Sequence, residues 1–288
     1  MNKEEMEQLI TEATTGNSQA LETILKSVQN LIFNLSLRML GTVPDAEDAT
    51  QDILVRIMTN LTSFRKESNF KTWVYRLATN YLIDYKKSMF AHYPLDFDYY
   101  SNDIKSGYIE NSDDLLMGVN KDKLEKELKQ SCTNVMLQCL DPPTRCIFIL
   151  GTMFKIDSRI AGDILDMTPD NYRQKLSRAR KKVAGFLSYH CGLTETGFCS
   201  CEKRIGYAIK HNRISPKKLR YVNLEEMNQD TLIDYTEIME SIDEISEVFS
   251  ELPMYRSPVS AKKFIKRLLQ SPRIEKIREF QMMEDSYD

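Results

Sequence analysis

Four groups of residues have types and spacings that could do chemistry. Trp73, the only tryptophan of the chain, precedes Arg76 and Asn80 at three- and four-residue steps. A helix would carry all three on one polar face, with Asp84 and Lys87 further along it. A ring to stack on, a guanidinium for phosphate and an amide for a base edge are what a protein uses to hold an unstacked base. A surface tryptophan packed on a neighbouring helix is the competing reading. Asp45, Asp48 and Asp52 form a second group, an acidic and solvated face. In the third, Arg173, Lys175, Arg178, Arg180, Lys181 and Lys182 crowd one stretch with no acid among them. Such cations meet phosphates, or guanine edges bidentately. A solvated surface or an anionic membrane would also suit a basic amphipathic helix. The fourth group is His190, Cys191, Cys199 and Cys201, an HC-x7-CxC cluster. Thiolate and imidazole suit Zn²⁺, which makes zinc the one candidate cofactor. The spacing is not a common zinc pattern, and small buried cysteines without metal are frequent. Cys132, Cys139 and Cys146 read as core.

Helices must hold these groups. Lys3 to Thr14 reads as a short amphipathic helix. The next runs to Leu40, with Leu21, Ile24, Leu25, Val28, Leu31, Ile32, Leu35 and Met39 inward, and Gly41 ends it. Pro44 and Asp45 start a third, whose stripe is Ile53, Leu54, Ile57, Met58 and Leu61. After the loop TSFRKESN, a fourth runs from Phe70 to Lys87 over Val74, Leu77, Ala78, Tyr81, Leu82 and Tyr85. Residues 91–120 are acidic without a lasting helical period, and read as a mostly flexible linker. Helices resume near Lys121. A short one, SRIAGDILDM, precedes the Thr168-Pro169 start of a basic one that buries Tyr172, Leu176, Ala179, Val183 and Phe186. Short helix, turn and basic helix is the helix-turn-helix order, whose second helix enters the major groove. The preceding turn pattern favours DNA as its partner.

The sequence therefore predicts an all-α fold in five parts. These are a helical domain at 1–90, an acidic linker at 91–120, a helix-turn-helix domain at 121–190, a cysteine-containing segment at 191–223 and a mainly helical extension at 224–288. In the extension, Glu225 to Glu251 holds ten acids and no base, with Tyr235, Ile238, Met239, Ile242, Ile245 and Phe249 at helical spacing. Ser257-Pro258 then opens a basic helix. The net charge of −3 conceals this segregation of acids from bases. No basic-then-apolar leader starts the chain, and the apolar run CIFIL is far too short for a bilayer. A cytoplasmic protein without a membrane partner is expected, with cysteines reduced, buried or metal-bound.

DAEDATQDILVRI followed by F-x-T-W-V-Y-R-L-A-T-N-Y-x-x-D resembles conserved region two of bacterial sigma factors, most like the extracytoplasmic-function type. The RQKLSRARKKV run resembles region four of the same family. The resemblance spans about the first 190 residues. It implies a dissociable specificity subunit of RNA polymerase that is not itself an enzyme. Asp45, Asp48, Gln51 and Asp52 become contacts to the clamp helices of core polymerase. Lys71, Trp73, Arg76, Asn80 and Lys87 become contacts to the minus-ten promoter element. Asn171, Arg173, Lys175, Arg178, Arg180 and Lys181 become contacts to the minus-35 element. The linker would thread the polymerase channels, and an anti-sigma factor becomes a candidate further partner. One departure is Arg159-Ile160-Ala161, where the family usually has an acid before Ile-Ala. The cysteines and LPMYRSP resemble an extension found in a subgroup of these factors.

Two other functions compete. A helix-turn-helix regulator acting without polymerase would not need the acidic face. A zinc enzyme would need a general base, and no Glu stands in catalytic spacing beside His92, His190 or His211. The segregated charges further suggest that the acidic extension restrains the basic helix.

Overall fold

Side chains that cap helix ends set the first four helices. In this computed structural model, residues 2–65, 68–109, 113–227 and 248–269 are described. Helix α1 (Lys3–Thr14) opens on a capping box: Asn2 Oδ1 accepts from Glu5 N at 2.8 Å, and Glu5 Oε2 accepts from Asn2 N at 3.0 Å. Helix α2 (Ser18–Leu40) is capped by Asn17 and stopped by Gly41, whose φ of 81° is left-handed. Helix α3 (Val43–Asn60) starts from the Thr42 hydroxyl, which accepts from Asp45 N. That is slightly earlier than Pro44 suggested. Asn69 caps α4 (Phe70–Ile83). This helix stops before Lys87, so the tail expected to be helical is not. Ile24, Leu25, Val28, Ile53, Leu54, Ile57, Val74 and Ala78 are buried as their spacing predicts. Burial of each large one is worth about 1.5–3 kcal/mol.

The stretch read as a mostly flexible linker departs from expectation. It carries α5 (Met89–His92), α6 (Phe97–Lys105) and α7 (Asp113–Leu116). Helix α6 is capped by Asp96 and buries Tyr100 and Ile104, one turn apart. Nine residues with two buried contacts are too short for a period to emerge from sequence. Phe97 and Tyr100 rings lie 4.9 and 5.8 Å from the ring of Phe186.

Helix α8 (Lys121–Leu137) is followed by α9 (Pro142–Phe148), which runs into a π turn at Ile149–Met153. Then come α10 (Ser158–Ile164), α11 (Pro169–His190) and α12 (Cys201–Lys210). Beyond it, β1 (Glu226–Met227) pairs antiparallel with β2 (Met254–Tyr255), and α13 (Ala261–Leu269) follows. Of the expected acidic helix, residues 228–247 lie outside the described residues, and Glu226 and Met227 are in a strand. The basic helix begins at Ala261, after Ser260 rather than at Ser257-Pro258. The remaining regular structure of the described residues is helical, in keeping with the all-α reading.

The far half of α2, from Leu31 to Leu40, is buried on every side. One side faces the α3–α4 core. The other meets the extension: Phe33 and Leu37 pack with Val43, Ala46, Tyr221 and Tyr255. Polar ties fix this contact. Asn34 Nδ2 donates to Tyr255 O at 2.7 Å, and its Oδ1 accepts from Tyr255 N at 2.8 Å, as a paired strand would. The Arg38 guanidinium, fully buried, donates to Asn134 Oδ1 at 2.7 Å and Pro253 O at 2.6 Å. Arg145 of α9 donates to the carbonyls of Met39, Leu137, Gln138 and Leu140. Burying a guanidinium is tolerable only with such pairing; Arg145 is paired at all three nitrogens, whereas Arg38 leaves its Nε without a partner among the described residues. These bonds join the N-terminal helices to α8 and α9.

Candidate nucleic-acid interface

On α3, Asp48 and Gln51 are exposed, while Asp45 and Asp52 are half-buried. Asp45 Oδ2 accepts from the Thr42 hydroxyl at 2.8 Å. Asp52 Oδ2 accepts from the Tyr81 hydroxyl and, at 3.0 Å, from Lys87 Nζ. Burial, and then this carboxylate, push the Tyr81 phenol far above its ordinary range, so it stays a donor at any physiological pH. The acidic face is thus present, but Asp52 is partly occupied within the fold. Lys87, expected on DNA, spends its charge on Asp52.

Trp73 is half-buried. Its ring lies 5.7 Å from Phe64 and 5.7 Å from Phe70, and is stacked on the latter at 26°. The aromatic group therefore spans the end of the α3–α4 loop and the first turn of α4. Lys71 is half-buried in the first turn, and Asn80 is exposed on the last. Arg76 is exposed, yet its Nη2 reaches across to α10 and donates to Asp163 O at 2.7 Å and Asp163 Oδ1 at 2.8 Å. Tyr75, beside it, is buried edge-on against Phe154 at 6.1 Å. So α4 packs its own core with one face and meets α9 and α10 with another. No local signal in the sequence pairs residues 76 and 163.

Gly162, within α10, lets the turn between α10 and α11 fold closely against it. A Cβ there would stand 2.6 Å from Met167 O, and Met167 N donates to Gly162 O at 2.9 Å. Asp166 completes it with a positive φ of 52°. Thr168 then caps α11 by accepting from Asn171 N. At about 100° per residue, Asn171, Lys175, Arg178 and Lys182 fall within about 60° of one another on α11. All four are exposed, and exposed Lys181 flanks them. Arg173 and Arg180 fall on another side, next to the core. Arg173 Nη1 donates to Ser158 Oγ at 2.8 Å and its Nη2 pairs with Asp170. Arg180 Nε donates to Thr152 Oγ1 at 3.1 Å and Nη2 to Gly151 O at 3.0 Å. Arg173 and Arg180 thus brace the helix pair. Lys182 joins the exposed face in their stead, and the spacing 175–178–182 is the signal for it. Its Nζ lies 5.2 Å over the Phe97 ring.

His190 is buried among the rings of Phe186, Tyr189 and Phe198, at 4.5, 4.7 and 5.6 Å. Burial, and then nearby Lys105, lower its affinity for a proton. Burial likewise pushes the thiols of Cys191 and Cys201 up to about 12 and that of Cys199 up to about 11. Among the described residues no group of three or more His, Cys, Asp or Glu side chains is placed to hold a metal ion. His190, of the candidate zinc set, lies among aromatic rings, while Cys201 is in electrostatic reach of Cys132, Cys191 and Cys199. No described helix is long and apolar enough to cross a membrane.

Residues 24–88 match the sequence family Sigma-70 region 2. That match takes in most of α2, all of α3 and α4, and hence the acidic face and Trp73, Arg76 and Asn80. The chain is similar to the ECF RNA polymerase sigma factor SigW of Bacillus subtilis, 26% identical over 174 residues, covering 60% of this chain and 92% of that protein. It is 29% identical over 80 residues to the RNA polymerase sigma-H factor of Pseudomonas aeruginosa, covering 28% of this chain and 42% of that one. Over 72 residues it is 31% identical to an ECF RNA polymerase sigma-E factor of Haemophilus influenzae, covering 25% and 38% respectively.

Proposed function

We propose that this chain, an RNA polymerase sigma factor of the extracytoplasmic-function type, docks on core polymerase through α3, captures minus-ten bases with α4 and reads minus-35 DNA with α11. Catalysis of polymerisation belongs to the core enzyme. The observation that carries the reading is the joint presence, within the residues matched to Sigma-70 region 2, of an acidic face with Asp48 and Gln51 exposed and a Trp–Arg–Asn face. The α10–α11 pair supplies a third face, basic and exposed. Asp48 and Gln51 are exposed and make no side-chain hydrogen bond or ion pair among the described residues, which makes them the stronger docking residues; Asp45 and Asp52 hold the α3–α4 pair as well. Asn171, Lys175, Arg178 and Lys181 are the stronger minus-35 residues. A helix-turn-helix regulator working without polymerase is the alternative, and it rests on α10 and α11 alone. Membership of the cysteine-containing subgroup is part of the proposal, since similarity over 174 residues leaves much of the extension uncompared. A cytoplasmic setting follows from polymerase and DNA as partners.

The test is run-off transcription with purified core polymerase, beside co-elution of the two on gel filtration. Asp48→Arg with Gln51→Lys is expected to abolish co-elution and transcription while keeping the native helical signal, because both side chains are solvated. Co-elution unchanged by the double substitution would sink α3 as the docking face. Promoter-specific duplex binding without any response to core polymerase would favour the alternative.

A further inference from the structure

Four parts of the chain meet around one cavity. The α2–α3 turn, the α5–α6 stretch, α8 and the segment from α12 to Tyr221 enclose about 550 Å³. That is within the range of small-molecule sites, which favour junctions between domains. Val43, Tyr100, Ile104, Leu128, Val135 and Ile214 give it a mainly apolar lining.

Its charged groups are unbalanced. Four cations line it, Arg204, Arg213, Lys218 and Arg220, against two carboxylates, Asp103 and Glu127. Both carboxylates are spent. Glu127 accepts from the backbone N–H groups of Arg220, Tyr221 and Val222 at 2.7 to 2.9 Å. Asp103 accepts from Tyr207 Oη at 3.0 Å, from Arg204 Nη2 at 3.1 Å, and from Arg213 Nη1 and Nη2 at 2.6 and 2.5 Å. Two guanidinium groups therefore share one carboxylate, and that cluster keeps a positive charge at the cavity wall. Arg204 and Asp103 are almost fully buried, with side chains 8% and 7% exposed, and Arg213 is 31% exposed. A positive charge with so little access to water favours an anion beside it. Lys218 and Arg220 add cations at the mouth, in the field of Glu47. With seven hydrogen bonds already on these two carboxylates, the lining offers a metal cation no free carboxylate.

We infer that this cavity binds one amphiphilic organic anion. Its carboxylate or sulfonate head would meet Arg213, and its apolar body would lie along Leu128 and Val135. The site walls join the N-terminal helices, the α5–α6 stretch, α8 and the segment from α12 to Tyr221. A bound anion would favour the arrangement in which these parts are together, by its affinity for that arrangement over an opened one. That consequence for transcription rests on the sigma-factor reading; the binding itself does not.

The probe is 1-anilinonaphthalene-8-sulfonate, titrated into the full chain at neutral pH and followed by fluorescence. One saturable site per chain is expected. Decanoate should displace the dye at a concentration at least tenfold lower than decyltrimethylammonium. Val135→Trp and Ser131→Trp each fill the cavity from α8. Each should weaken dye binding at least tenfold with unchanged far-ultraviolet circular dichroism. Arg213→Met should weaken decanoate at least tenfold and leave displacement by decanol unchanged. Absence of saturable binding, equal displacement by anion and cation, or full binding by both folded cavity-filling variants would overturn the proposal. Failure of run-off transcription leaves the dye titration untouched, so the two readings fail separately.

Discussion

Trp73 owes its position to two phenylalanines. Phe64 and Phe70 hold the indole at the start of α4, so the fold fixes the ring's orientation. Stacking on such a ring is worth about 1–3 kcal/mol per base. Trp73→Ala and Asn80→Ala are expected to weaken open-complex formation more than closed-complex binding, read as permanganate reactivity of minus-ten thymines. Equal losses in both complexes would count against base capture. The cysteines make a second prediction at this scale. Burial pushes Cys146 and Cys191 up to about 12 from an ordinary value of 9.0. A folded-state value above the unfolded one means stability that is fully present below about pH 9. It is lost as the pH rises towards 12, because the unfolded chain ionises first. The melting temperature should hold from pH 7 to about 8.5 and fall beyond it, less steeply in Cys146→Ala. An identical slope in that variant would reject the attribution.

Helix α11 divides its cations between two tasks, and the division can be measured. Arg180 donates to Gly151 and Thr152 of the π turn. Arg180→Ala should cost about 1–3 kcal/mol in urea unfolding, since it strips partners from half-buried acceptors. It should not alter which promoter sequence is preferred. Lys175 and Arg178 point away from the core. Their alanine variants should unfold within about 0.5 kcal/mol of the parent. Arg178→Ala should weaken minus-35 duplex binding by about 1–3 kcal/mol if it reads a base, and relax discrimination at that base. Weakening that is uniform across sequences, with a flatter salt dependence, would make it a phosphate contact. Loss of promoter preference in Arg180→Ala would reverse the assignment of tasks.

For the whole molecule the decisive feature is Arg76 on Asp163, which sets α4 against α10. Elements named minus-ten and minus-35 are 25 base pairs apart, about 85 Å at 3.4 Å per pair. A folded chain of this length has a radius of gyration of about 19 Å. If α4 takes the minus-ten and α11 the minus-35 element, as proposed, the joined arrangement cannot span both, and α4 and α10 must part. The exposed ion pair itself opposes this by only about 0.2–1 kcal/mol. Greater resistance comes from buried contacts, among them Arg145 on Met39 O and Tyr75 on Phe154. Dyes on cysteines placed at Thr59 and Gly185, both exposed, should show high energy transfer in the free protein and low transfer in the promoter complex with core polymerase. Unchanged transfer would reject the opening. The described part of the extension bears on α2, α8 and α9 rather than on the basic face of α11. Its expected grip on that helix concerned an acidic run, and residues 228–247 of that run lie outside the described residues.

The sequence by itself determined the longer helices and the apolar stripes they bury, though not the short helices α5 to α7. Caps at Asn2, Asn17, Asn69 and Thr168 act within four residues, and the stripe from Ile53 to Ile57 repeats at the helical period, so both are readable locally. The same locality exposed the motifs of α3, α4 and α11 and their likeness to a sigma factor. Tertiary structure decided what the other faces do. Asn34 and Arg38 look like polar residues on the outer side of α2, but bonds to Tyr255 and Pro253, more than 200 positions away, bury them. Asp103 looks like linker acidity until Arg204 and Arg213 fold onto it. His190 sits among cysteines in the sequence and among aromatic rings in space. In each case the partner is distant along the chain, and spacing along a helix records only which residues share a face, not what comes to cover it.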